Sequence, residues 1–151
     1  MISLPLILEP NPILRKKSTL IDLKKFNAQN LLALAEQMIA TMLENNGIGL
    51  AAPQIGKNIQ LFVINKDISK TNDHLVLCNP KITFQSAKIT NFDEGCLSCP
   101  GRYISVKRPE KVRLKAFTLK NTKVVFKAKG LLAKAFQHEI DHLNGILIID
   151  K

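Results

Sequence analysis

The run GLLAKAFQHEIDHLNG, residues 130–145, constrains the fold more than any other part of the chain. Its apolar residues follow the period of a helix, and Gly145 before ILII reads as a helix stop and a final short strand. Leu131, Leu132, Phe136, Ile140 and Leu143 surround the polar QHEIDH core of the run, so this helix must be largely buried. A buried helix near the end of a chain needs partners that wrap it, and the earlier residues have to supply them.

They do so in two patterns. In residues 28–45, AQNLLALAEQMIATMLEN, Leu31, Leu34, Ala35, Met38 and Met42 recur at spacings of three and four. That spacing predicts one amphipathic helix ending at Asn46 and Gly47, its stripe facing a core. Next come short β-type runs at 59–65, 74–84, 102–108, 111–118 and 122–128, separated by turn residues as in antiparallel strands. The segment GIGLAAPQIG at 47–56 reads as a Gly/Pro loop joining helix to strand. With 151 residues, 46% of them hydrophobic, and no internal repeat or Gly/Ser linker, the expectation is one compact α+β domain. In it, antiparallel strands pack around a central C-terminal helix, and one long helix lies near the N-terminus.

The late helix also carries chemistry. Positions i and i+4 share a helix face, so His138 and His142 can aim imidazole nitrogens at one metal ion. Glu139 stands beside the first of them, where a carboxylate can act as a general base without being a ligand. A solvated helix face would give the same letters, but the apolar surroundings argue for buried imidazoles, which need partners. A third ligand must come from Cys78, Cys96, Cys99 or His74. Cys96, in DEGCLSCPG, would close a Cys/His/His site with one position open.

Cys96 and Cys99 also form a C-x-x-C pair, so a closed structural zinc site of both cysteines and both histidines stays open as an alternative. The 38 residues between Cys99 and His138 are far more than the spacer of about twelve in a zinc finger. Residues three apart in extended chain also point to opposite faces, unless a bend at Pro100 intervenes.

The formal charge of +10 and pI near 9.7 fit either a solvated lysine surface or an anionic partner. Of the 22 basic residues only Arg15, Arg102, Arg108 and Arg113 are arginines, which argues against specific nucleic-acid recognition. No window approaches the roughly 18 apolar residues of a membrane helix, and the start, MISLPLILEPNP, lacks the basic region of an export signal. Three cysteines, an odd number, suit a reducing compartment. A soluble cytoplasmic protein is therefore expected, with no membrane partner.

Taken in order, GIGLAAPQ (47–54), EGCLS (94–98) and QHEIDHLNG (137–145) resemble the three motifs of the peptide deformylase family. The likeness continues through NPILRKKS near the start, NP at 79–80 and RPEKVRLKAF, so residues 1–151 resemble one deformylase catalytic domain. It implies a metal-dependent hydrolase that removes the formyl group from N-formyl-methionyl nascent peptides and releases formate. Cys96, His138 and His142 would hold one divalent ion, physiologically Fe2+ and often replaced by Zn2+, Ni2+ or Co2+. Glu139 would move the proton, and the Gln54 side-chain amide and Leu97 backbone N–H would face the developing oxyanion.

Substrate main chain would pair along Ile48, Gly49 and Gly95. Phe92, Leu131, Lys134 and Ala135 are the expected walls of the methionine pocket, Lys134 through its aliphatic stem. An ion pair between Glu94 and Arg108 is expected to brace the cysteine loop. The ribosome stays open as a partner, but the chain runs only six residues past Gly145, so docking through the C-terminal helix that many bacterial deformylases use is not expected. A monomer is expected.

Two other functions fit parts of the sequence. A zinc-stabilised module binding RNA through its basic surface would use Cys99 as a fourth ligand. A peptidase cutting internal bonds would need a third histidine or glutamate downstream, and residues 143–151 hold neither.

Overall fold

The computed structural model describes residues 2–151. The predicted first helix is α1, Ala28–Glu44, capped by the Asn27 side chain, which accepts from the amides of Gln29 and Asn30. It buries Leu31, Ala35, Met38 and Met42 from the predicted stripe, adds Thr41, and leaves Leu34 half-buried. The Thr41 hydroxyl accepts from the amide of Leu4 at 2.8 Å, which fastens the N-terminal segment across the helix.

The strands are β1 (Gly49–Ala51), β2 (Leu61–Ile64), β3 (Leu75–Gln85), β4 (Ile89–Cys96), β5 (Cys99–Pro109), β6 (Lys111–Phe117) and β7 (Lys123–Lys129). A one-turn helix, α2 (Lys66–Ser69), links β2 to β3. Five of the strands form an antiparallel sheet in the order β1-β2-β3-β6-β7, and β4 pairs with β5 in a separate ribbon. Alternation sets which side of the sheet is buried: Val112, Leu114 and Ala116 of β6 are buried while Lys111 and Arg113, on either side of Val112, are exposed.

The last helix, α3 (Gly130–Leu143), lies on that buried side. Gly130, with φ of 61°, lets β7 turn into α3 with no intervening loop. Phe136 is the centre of the packing, its ring 6.1 Å from Phe62 and 5.8 Å from Phe126. α1 covers the opposite side of the sheet, but only at its β1–β3 end, where Leu50, Leu61, Val63 and Cys78 meet Met38 and Met42.

Three local expectations are corrected. Residues 47–56 are more than a loop, because Gly49, Leu50 and Ala51 pair with Ile64, Val63 and Phe62, and Ala52–Ile55 forms a 3-10 turn. The strand β4, ITNFDEGC, went unread because its residues are mostly polar: exposure alternates along it, but its inward side holds Thr90, Phe92, Glu94 and Cys96 rather than an apolar row, and pairing with β5 holds it. The final ILII is no strand. Its Ile148–Asp150 end is a 3-10 turn in which Asp150 accepts from the Leu147 amide and pairs with Arg15. Among the described residues no helix is long and apolar enough to cross a membrane.

Candidate metal centre

Three stretches far apart in sequence meet beside α3. The first is the β4–β5 turn, where Leu97 and Ser98 join the paired residues Cys96 and Cys99. The second is the β1 edge with the following turn, held to the first by Gln54. The third is the α3 face carrying His138, Glu139 and His142.

The Cys96 thiol lies 3.4 Å from His142 Nε2, which in turn lies 3.1 Å from His138 Nε2. Among the described residues this is the one group of three Cys, His, Asp or Glu side chains whose donor atoms all fall within 4.8 Å of each other. His138 Nδ1 faces Glu94 Oε1 at 3.0 Å, and a carboxylate there fixes the ring with its proton on Nδ1 and its Nε2 lone pair toward Cys96 and His142. Two buried ring nitrogens and a thiol directed at one point suit a soft or borderline cation, so the donor set fits a divalent metal.

The support beneath this group is ionic. Glu94 is fully buried, and Arg108, also buried, grips it through Nε at 2.5 Å and Nη2 at 2.9 Å. The remaining arm of Arg108 donates to Asp141 at 2.9 Å, so α3 itself closes the network. Burial pushes the Glu94 pKa up, but hydrogen bonds from His138 and Arg108 outweigh it and bring the carboxyl down to about 2. The expected Glu94–Arg108 ion pair is therefore present. Asp141 was not singled out in the sequence, although its position three residues after His138 on one helix was a usable signal.

Glu139 is 2% exposed and lies against Gly49: a Cβ there would stand 2.7 Å from its Oε1, so glycine lets the carboxylate tuck under β1. Its Oε2 is buried without a hydrogen-bond partner among the described residues. Burial raises its pKa to about 7.

The Gln54 amide is oriented by its neighbours. Its Oε1 accepts from the Ala51 amide at 3.0 Å, which turns Nε2 toward Cys96 Sγ at 3.7 Å and Ser98 Oγ at 3.2 Å. Ser98, fully buried, passes the bond on to the Ile7 carbonyl at 2.7 Å. No sequence signal beyond its place in EGCLS pointed to that role.

A cleft of about 620 Å³ opens beside these groups. Ile48, Gly49, Gly95, Leu97 and Lys134 line it with Glu139, as expected. Phe92, Leu131 and Ala135 do not. Ala135 is locked in the core beside Phe136, Phe92 sits on the ribbon opposite Val106, and Leu131 is 46% exposed two helical turns before His138. Sharing a helix face with His138 was insufficient, because Leu131 lies too far back along α3 and Ala135 stands on the side packed into the core. Arg102 and Tyr103, unforeseen, stand at its rim.

The other ligand candidates lie elsewhere. Cys78 is buried under α1, and burial raises its thiol pKa to about 12; His74 accepts from the Lys66 amide near α2. Cys99 does not join the three-residue group. The ground read in the sequence is corrected, because the turn makes Cys96 and Cys99 cross-strand partners rather than opposite-facing residues. Cys99 packs with Leu14 and Leu147, and burial with the adjacent Cys96 raises its thiol to about 11.

Known proteins with this arrangement of chain are numerous. The family model described as polypeptide deformylase matches residues 3–151. Peptide deformylase 1 of Clostridium perfringens is 45% identical over 138 residues, covering 91% of this chain and 90% of that protein. The chloroplastic peptide deformylase 1B of Oryza sativa is 41% identical over 145 residues, 94% of this chain but 52% of that protein, so this chain spans about half the length of such plant relatives. A crystal structure of class I type b peptide deformylase from Acinetobacter baumannii superposes with a TM-score of 0.93 at 35% identity, covering 100% of both chains. With a matched model over nearly its whole length, this chain belongs to the polypeptide deformylase family.

Proposed function

We propose that residues 1–151 form a catalytic domain that hydrolyses N-formyl-methionyl peptides to formate and a free amino terminus. The observation that carries this reading is the convergence of Cys96, His138 and His142 donor atoms within 4.8 Å beside an unpartnered buried glutamate. Cys96, His138 and His142 are the proposed ligands of one divalent ion, assigned as ferrous iron on the resemblance of the three motifs, with zinc, nickel or cobalt as substitutes. Bound there, the ion supplies a Lewis acid that can lower the pKa of water from 15.7 to about 7.

The chain's own groups do the rest. Glu139, its proton affinity raised toward neutrality, takes a proton from the attacking water and returns it to the leaving amine. Gln54 Nε2, held by the Ala51 bond, and the Leu97 N–H are the donors for charge developing on the formyl oxygen. β1 is the edge strand of its sheet, so its free side can accept substrate main chain along Ile48 and Gly49, with Gly95 opposite. Ile48, Leu97 and the stem of Lys134 are the proposed walls for the methionine side chain. All these groups come from one chain, so the proposed working unit is a monomer. The cytoplasm is the proposed compartment, supported by three free thiols.

Formate release from formyl-Met-Ala-Ser by anaerobically iron-loaded protein tests the reading, and no release above a chelator-treated control refutes it. Gln54→Ala is expected to lower kcat by about 10²- to 10³-fold with metal content unchanged, measured by formate release and elemental analysis. Cys99→Ser is expected to keep its metal; loss of the ion would instead support the closed four-ligand site.

A further inference from the structure

The half of the sheet that α1 leaves uncovered is strongly basic. On β6, Lys111, Arg113 and Lys115 alternate with the buried residues and face away from α3; across the register Lys111 meets Lys129, Arg113 meets Lys127 and Lys115 meets Lys81. β3, β6 and β7 contain no Asp or Glu at all, and none of these six cations takes part in an ion pair among the described residues. Like charges placed directly opposite each other destabilise a sheet, so three such pairs on one surface carry a cost. Lysines do protect exposed sheet edges, which accounts for Lys127 and Lys129 on β7 and for Lys81 on the stretch of β3 beyond its pairing with β2, but β6 is an interior strand. Edge protection thus leaves half of the pattern unexplained.

An aromatic group sits within the cations. Phe84 is 51% exposed, pairs with Arg113 across the register, and has the guanidinium carbon 5.8 Å from its ring centroid. Beside it Lys111, Val112, Lys127 and Lys129 line a shallow hollow of about 320 Å³. Cations in fixed rows on rigid strands can track a linear polyanion, and a half-exposed ring with an adjacent guanidinium offers a base a stacking platform. A bilayer surface would be met better by an amphipathic helix with a continuous apolar side, whereas the exposed apolar residues of this face, Phe84 and Val125, stand singly among cations. Single strands exposed in a cell are mostly RNA.

We infer that the outer face of β3, β6 and β7 binds single-stranded RNA, through phosphate contacts to Lys81, Lys111, Arg113, Lys115, Lys127 and Lys129 and base stacking on Phe84. The binding is independent of sequence, because lysine supplies point charges rather than a base-reading fork. The face lies apart from the cleft and uses none of its residues.

Fluorescence anisotropy of a labelled 20-nucleotide oligouridylate with the metal-loaded full chain tests this. Affinity is expected to fall on the order of 10²-fold between 50 and 200 mM salt, as neutralising about five or six phosphates requires. The quadruple variant Lys111→Glu, Arg113→Glu, Lys127→Glu, Lys129→Glu is expected to abolish binding while peptide hydrolysis, which reports its fold, stays at the wild-type rate. Phe84→Ala is expected to weaken binding at least ~5-fold without changing the salt slope. Undiminished RNA binding by the quadruple variant overturns the inference. So does tighter capture by vesicles containing phosphatidylserine than by the oligonucleotide, which would assign the face to a membrane.

Discussion

Glu139→Gln is expected to reduce kcat for formyl-Met-Ala-Ser by about 10³-fold while leaving the metal bound and the thermal midpoint no lower than wild type. General acid–base groups contribute about 10²- to 10⁴-fold, and among the described residues Glu139 is the one carboxylate lining the cleft whose oxygen is both buried and unpartnered. Its environment disfavours charge, since burial holds its pKa near 7, and an amide of the same shape removes that charge without opening a cavity. A base acting on substrate lowers kcat with little change in KM. A merely structural residue would instead lower the midpoint, the metal content and the rate together. Wild-type kcat in this variant would remove Glu139 from the reaction.

How far the sequence reached depended on whether an element is held by its own pattern or by its partner. α1 and α3 were legible because their apolar residues recur at helical spacing, and β6 and β7 because they are short runs of apolar residues interleaved with lysine or arginine. β4 was not: its residues are mostly polar, and pairing with β5 alone keeps it extended. The same division runs through the site. His138, His142 and Cys96 carry their chemistry in their side chains and were readable, but which surface of α3 faces the cleft depends on the sheet beneath it. Hence Lys134 reaches the cleft while Ala135, its neighbour, is sealed in the core. Ser98 and Asp141 act through hydrogen bonds to other residues, so only tertiary placement reveals them.

Arg108→Met is expected to lower stability by about 3–5 kcal/mol and to weaken metal retention by about 10- to 100-fold, though Arg108 is no ligand. The guanidinium is 4% exposed and is the cationic partner of Glu94, which is 0% exposed, and of Asp141. Methionine fills much of the same volume but leaves buried Glu94 without its guanidinium and Asp141 with Lys151 alone, and Glu94 then loses the hold that lets it orient His138. For a chain of this length the loss corresponds to roughly 10 °C in thermal midpoint. Its pH dependence follows from the sign of the Glu94 shift. With the folded pKa near 2 against an ordinary 4.5, the wild-type pair stabilises at neutral pH and loses that contribution as pH falls from about 4.5 toward 2. In Arg108→Met the counter-charge is gone, so the deficit should be greatest at neutral pH and shrink as acid protonates Glu94. Arg108→Lys is expected to fall between the two, because one ammonium cannot span both oxygens of Glu94 and reach Asp141 as the planar fork does. Thermal melts from pH 3 to 8 with metal analysis decide it: an Arg108→Met midpoint within about 2 °C of wild type at pH 7 would mean that the buried network does not hold α3 against the cysteine turn.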